Sequence, residues 1–176
     1  MTFKLLSKAA LALAAMGLCL SAASAAYKSE YKLSVVPGAS SGWGQTATFF
    51  ADCVRQKSNG RINIKPYFGA QLMAGKQTSE LLLVRRGAID FALASTINWS
   101  PQIKELNLTA LPFFVANNPD RYKAIDAIEA GKSGKMLEKA IEKTGVKFLG
   151  WSENGFRELT TSKGPIEKPE DMKGMK

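Results

Sequence analysis

The sequence predicts an α/β fold with a largely parallel sheet. Segments with strand character and segments with helix periodicity alternate over residues 32–94, which is the signature of a sheet layered with helices. The run Ala88-Ile-Asp-Phe-Ala-Leu-Ala94 is nearly continuous in apolar residues, as expected for a strand buried on both faces. Glycine- and proline-containing punctuation separates the segments.

In chain order, Lys32-Leu-Ser-Val-Val36 reads as a strand ended by Pro37-Gly38. A polar loop, Ala39-Ser-Ser-Gly42, leads into a helix whose inner face carries Trp43, Ala47, Phe50, Ala51 and Val54. Ser58-Asn59-Gly60 stops it. Arg61-Ile-Asn-Ile-Lys65 alternates and reads as a second strand. Phe68-Gly69-Ala70 is a turn, and residues 77–86 form a second helix stopped by Gly87. After the third strand at 88–94, Asn118 is placed to cap a helix with Pro119 in its first position. Tyr122, Ile125 and Ile128 mark that helix's inner face, and Gly131 ends it.

Ser133 is placed to cap a lysine-rich helix closed by Gly145. On that helix Lys132, Lys135, Lys139, Lys143 and Lys147 stack along one face, with Glu138 and Glu142 among them. Met136, Leu137, Ala140 and Ile141 are assigned to another face, and the lysine side reads as a solvated, charge-laced surface. Val146–Trp151 and Phe156–Thr161 are further strand candidates, and Pro169-Glu-Asp-Met172 opens a short helix. A chain that ends within a new element reads as part of a longer protein.

The N-terminus has Lys4 and Lys8, then an apolar run from Ala9 to Leu20, then Ser21-Ala-Ala-Ser-Ala-Ala26. That order is the pattern of a secretory signal peptide cleaved near Ala25/Ala26. The apolar run is shorter than the roughly 20 residues a membrane-spanning helix needs. Leu18 before Cys19 does not suit a lipid-attachment signal. Lys4 and Lys8 contribute two of the +9 net charge, so +7 remains after cleavage. Cys53 is then the single cysteine, which excludes an internal disulfide and leaves stability to a hydrophobic core. About 150 residues suffice for one domain.

There is no histidine in the chain. That excludes Ser-His and Cys-His nucleophile arrangements and histidine zinc sites, and one cysteine excludes thiolate zinc. Nothing in the sequence calls for a cofactor or a metal. The basic balance suits an anionic partner, and export argues against nucleic acid. Ala130-Gly-Lys-Ser133 imitates the end of a phosphate loop, but Asp126 stands where the first glycine is needed. The glycines at 38, 42 and 44 do not fit dinucleotide spacing, and no two acids stand in an obvious catalytic arrangement.

Open α/β sheets bind ligands beyond the carboxyl ends of their strands. Three segments have that address: Gly38–Trp43, Ser95-Thr-Ile-Asn-Trp99, and the Asn154-Gly155 turn leading into Arg157. Trp43, Thr96, Asn98 and Asn154 offer indole, hydroxyl and amide groups there, and backbone N–H groups at the helix start near Trp43 favour an anion. Trp43 fits a core position equally well, and the indoles of Trp43 and Trp99 suit either packing or stacking on a flat ligand. Arg157 has two readings of equal weight on its local sequence. It pairs with Glu153 or Glu158, or it meets a ligand anion.

Further residues carry a family resemblance. They are Gly69-Ala-Gln-Leu-Met-Ala-Gly75, Val84-Arg-Arg-Gly-Ala-Ile-Asp-Phe91, Leu111-Pro-Phe-Phe114, Asn154-Gly-Phe-Arg157 with Thr161-Ser-Lys163, and Pro169-Glu-Asp-Met-Lys-Gly-Met-Lys176. In this order and spacing the chain resembles the DctP family, the extracytoplasmic solute-binding receptors of TRAP transporters. The resemblance implies a periplasmic-binding-protein-like two-domain fold, here truncated, whose cleft closes on a small organic acid. It implies a periplasmic location, no enzymatic activity, and delivery of the acid to an integral-membrane, ion-gradient-driven permease.

It divides the chain into a signal peptide at 1–25, a first α/β lobe at 26–154, incomplete, and the start of a second lobe at 155–176. It matches Arg157 to the family arginine that faces the cleft, and shifts its reading toward a ligand contact. In the family a second arginine follows the Lys-Gly-Met-Lys run, a position this sequence does not reach. Three alternatives stand beside this reading: an exported enzyme for an acidic substrate, a receptor of another importer class, and a fragment without function.

Overall fold

The computed structural model describes residues 27–115, 117–153 and 160–175. Three strands form one parallel sheet: β1 (Tyr31–Val35), β2 (Ile64–Tyr67) and β3 (Phe91–Leu93), in the order β2-β1-β3. Leu33 of β1 lies opposite Pro66 on one side and Phe91 on the other. Helix α1 (Gly42–Lys57) links β1 to β2, and α2 (Glu80–Arg85) precedes β3. The chain thus moves outward from β1 to β2, then back across β1 to β3. Parallel crossovers are right-handed, so reversing direction places the two connecting helices on opposite faces of the sheet.

The cores follow this division. On one face Leu33 and Val35 pack with Ala47 and Ala51 of α1 and with Ile64. The second core joins Leu81 of α2 to Trp99, Ile103 and Leu106, and to Leu137, Ala140 and Ile141. Trp99 closes helix α3 (Thr96–Trp99), and Leu106 lies in a 3-10 segment, Lys104–Ala110. The last three residues of the core belong to α5 (Lys132–Glu142), which follows α4 (Arg121–Ala130). Central strand β1 is buried on both sides through Leu33, Ser34 and Val35.

Several boundaries differ from the sequence expectation for local reasons. Strand β2 starts at Ile64 rather than Arg61, because the preceding residues finish α1: Arg61 N–H donates to the Ser58 carbonyl and Ile62 N–H to Ser58 Oγ. Pro66 is tolerated because β2 is the outer strand of this sheet, where a missing donor costs little. Strand β3 is only Phe91–Leu93 and half-buried, not a doubly buried run over 88–94. Its entry is fixed by Asp90, whose carboxylate accepts from Lys32 N–H (2.9 Å) and pairs with Lys28. Burial acts to raise the Asp90 pKa, but the bonds from Lys28 and Lys32 outweigh it, and the net direction is down.

The α4 cap is Asp120, whose carboxylate accepts from Lys123 N–H; Asn118 instead accepts from Asp120 N–H one step earlier. Helix α5 is capped by Gly131 rather than Ser133. The α4–α5 corner is tight enough that a Cβ on Gly134 would lie 1.8 Å from the Glu129 carbonyl. Met136 sits with the lysines rather than on the buried face, in an open groove with Lys132, Lys135, Lys139 and Glu105. The rest of the amphipathic pattern holds, with Leu137, Ala140 and Ile141 buried.

Residues 146–151 form no strand; Val146, Phe148 and Trp151 instead pack side chains onto the second core. Of the 156–161 strand candidate, residues 156–159 lie outside the described residues. Pro169–Met172 is a 3-10 turn. Leu81 is fully buried and belongs to the second core. Leu81→Ala is expected to lower unfolding free energy by about 2–5 kcal/mol, measured by urea denaturation.

Candidate functional site

The order β2-β1-β3 puts the topological switch between β1 and β3. At such a point the loops leaving two adjacent parallel strands diverge to opposite faces and leave a crevice at the strands' carboxyl ends. Two of the three sequence-predicted segments begin in those loops and run into the helices that follow. Residues 36–41 leave β1 and enter α1; residues 94–95 leave β3 and enter α3.

The start of α1 is fixed by a local cap. Ser41 is its N-cap: Ser41 Oγ accepts from Gly44 N–H (3.0 Å) and donates to the Gly38 carbonyl (2.6 Å). No acidic residue occupies the first turn, while Arg55 and Lys57 occupy the last. The basic residues offset the negative end of the helix dipole, and nothing on the helix offsets the positive end. Loop 38–39 lies directly on that first turn. A Cβ on Gly44 would come within 2.4 Å of the Ala39 carbonyl oxygen, so glycine alone fits.

Trp43 is half-buried and packs against the α1-side core, so most of its ring has a structural role. Thr96 and Asn98 are half-buried on α3. Thr96 Oγ1 shares a hydrogen bond with Thr109 Oγ1 at 2.8 Å, and Asn98 Nδ2 donates to Gln77 Oε1 at 2.8 Å. Trp99 is no stacking platform. It is 8% exposed and belongs to the second core. Asn154 and Arg157 lie outside the described residues. The structure therefore brings Trp43, Thr96 and Asn98 to neighbouring strand ends.

Sequence reasoning missed Glu80. It precedes Leu81 at the start of α2 and is fully buried. Ser34 Oγ donates to Glu80 Oε1 at 2.6 Å, and Trp99 Nε1 donates to Oε2 at 3.1 Å. Burial pushes its pKa up, and the bonds from Ser34 and Trp99 only partly oppose the rise. Two sequence signals pointed to it: a serine at the centre of an apolar strand, and an acid within the apolar period of a helix.

A parallel sheet with helices on both faces and strand order β2-β1-β3 defines the class of doubly wound α/β proteins. A family profile, bacterial extracellular solute-binding protein family 7 (DctP), matches residues 33–176. The chain belongs to that family. The 2,3-diketo-L-gulonate-binding periplasmic protein YiaO of Escherichia coli is 30% identical over 127 residues, covering 72% of this chain and 37% of that protein. The C4-dicarboxylate-binding protein DctB of Bacillus subtilis is 30% identical over 144 residues, 82% of this chain and 39% of that protein.

Among solved structures, a TRAP periplasmic solute-binding protein from Ralstonia eutropha H16, with bound (S)-2-acetolactate, is 55% identical. It superposes with a TM-score of 0.79 over 85% of this chain and 46% of that one. A succinate-bound TRAP protein from Sulfurospirillum deleyianum is 25% identical, with a TM-score of 0.74 over 85% of this chain and 46% of that one. The fold is thus that of part of a TRAP periplasmic binding protein. The chain spans less than half the length of these relatives. The family consists of extracytoplasmic solute-binding proteins, and no described helix is long and apolar enough to cross a membrane.

The raised Glu80 pKa has a definite sign. Below the ordinary glutamate range the group is protonated in both folded and unfolded states. As pH rises through that range the unfolded chain releases its proton first, so stability falls until the folded value is passed. Urea unfolding over a pH series is expected to show this decline in the wild type. Glu80→Gln, which cannot ionise, is expected to remove that part of the slope; equal slopes would contradict the assignment.

Proposed function

We propose that this chain forms part of a periplasmic receptor that captures a small organic acid and delivers it to a TRAP-type, ion-gradient-driven permease, without catalysing a reaction. The observation that carries this reading is the adjacency of parallel β1 and β3. It sets the uncompensated N-terminus of α1 beside the polar segment Ser95–Asn98 at one end of the sheet. A carboxylate is the charge that such a crevice accepts.

Arg157 supplies the opposing contact in this reading. A guanidinium meets a carboxylate through two parallel hydrogen bonds and stays charged at any relevant pH. Asn154, Thr96, Asn98 and the exposed part of Trp43 line the rest of the cleft. Residues 26–154 make the first lobe and 155–176 begin the second, so a ligand held by both lobes stabilises their closure. Cleavage near Ala25/Ala26 releases the receptor into the periplasm.

The acetolactate held by the 55%-identical relative makes a short, branched 2-hydroxy-3-oxo acid the first ligand to test. C4-dicarboxylates follow, as named for the relatives from Bacillus subtilis and Rhodobacter capsulatus.

The test is isothermal calorimetry of the complete gene product against (S)-2-acetolactate and succinate. Arg157→Ala is expected to weaken the bound acid's affinity by about 30- to several-thousand-fold. That range is the about 2–5 kcal/mol lost when one partner of a buried charge pair is removed. Unchanged affinity in Arg157→Ala would contradict the assignment of the clamp. A fall in turnover-free binding to zero for every acid tested with the wild type would contradict the receptor reading itself.

A further inference from the structure

We propose that Glu80 is a positioning residue for ligand binding: it locks the site-bearing segment 96–102 to the central strand β1. The inference rests on the reading of Thr96 and Asn98 as cleft residues and explains what holds them.

Three hydrogen bonds tie the turn at 77–80 to segment 96–102. Asn98 Nδ2 donates to Gln77 Oε1 (2.8 Å), Gln102 Nε2 to the Thr78 carbonyl (2.9 Å), and Trp99 Nε1 to Glu80 Oε2 (3.1 Å). Taken alone, these bonds join two short segments that could shift together. Glu80 provides the one side-chain hydrogen bond in this set that continues to the sheet, through Ser34 Oγ at 2.6 Å. Ser34 lies on β1, opposite Ala92 of β3. The carboxyl group therefore spans from central strand β1 to the helix that carries Thr96 and Asn98.

The bridge is buried throughout: Glu80 and Ser34 are within 1% of full burial, and Trp99 is 8% exposed. A network in such a place has few alternative arrangements, because any shift leaves a polar group without a partner. Among the described residues, the side chains that hydrogen-bond Glu80 are Ser34 from β1 and Trp99 from α3. Neither is charged, and no charge contributes to its titration. The carboxyl accepts from both the serine hydroxyl and the indole, and burial disfavours its charged form. Glutamine keeps an acceptor for the indole and offers the serine hydroxyl oxygen a donor in place of the second acceptor; methionine has the length and only a weak sulfur acceptor.

The experiment compares wild type, Glu80→Gln and Glu80→Met of the complete gene product, and each change again in an Asn98→Ala background. Affinity for (S)-2-acetolactate and succinate is read by calorimetry, with thermal unfolding as the check on folding. Glu80→Met is expected to weaken binding at least tenfold while unfolding remains cooperative. Glu80→Gln is expected to recover most of that loss. In the Asn98→Ala background the Glu80→Met effect is expected to shrink, because one of the two side chains it positions is already gone.

If Glu80→Met does not fold, Ser34→Ala, which cuts the bridge at its sheet end, replaces it with the same expected loss. Wild-type binding with an unchanged constant in the folded bridge variant overturns the inference and leaves the receptor reading intact. So does a Glu80→Gln protein that folds but fails to recover binding, or an effect undiminished by Asn98→Ala. A wild type that binds neither acid overturns both.

Discussion

Strand β1 is paired on both edges and packed on both faces, and the rest of the lobe depends on that position. Leu33 and Val35 turn toward α1, while Ser34 turns toward the layer that contains α2, α3 and α5. Because β1 is flanked by its two successors in parallel, the chain must reverse its winding there. The reversal puts helices on both faces by handedness alone. It also leaves the ends of β1 and β3 as the place where two loops part. The crevice is a consequence of strand order, before any particular side chain is considered.

On that frame the side chains divide the work. Apolar residues supply most of the stabilisation, through two cores that share only the sheet. Polar residues supply register: Asp90 fixes where β3 begins against β1, and Ser58 fixes where α1 stops. Glu80 is unusual in joining a register role to the candidate site. A buried carboxyl without a cation is costly when ionised, so its place among the buried residues of α2 fits a demand for a single arrangement of α3 better than a demand for stability.

Much of this was legible in the sequence, and the limits have physical causes. The strand–helix alternation and the helix stops at Gly87 and Gly145 were read correctly because period and glycine conformation are local properties. Both glycines have positive φ, at 71° and 91°. The starts of β2 and α4 were misplaced because Ser58 and Asp120 capture backbone donors that the hydrophobic pattern does not reveal. Residues 146–151 have strand composition, but composition cannot supply a pairing partner.

The strand order β2-β1-β3 was also out of reach, since it is a tertiary fact. Gly38–Trp43 and Ser95–Trp99 were assigned to strand ends from the α/β pattern alone, and only the strand order shows that the two strands concerned are direct neighbours. Glu80 was missed because a lone acid in a helix normally reads as surface, and only Ser34 and Trp99 together give it a reason to be inside.

The central claim is that an organic acid sits at the carboxyl ends of β1 and β3. The most direct measurement is a crystal structure of the complete gene product with (S)-2-acetolactate bound. The ligand is expected beside the loop entering α1 and the Thr96–Asn98 part of α3, with its carboxylate within hydrogen-bonding distance of Arg157. A ligand bound elsewhere, such as in the lysine groove of α5, would contradict it.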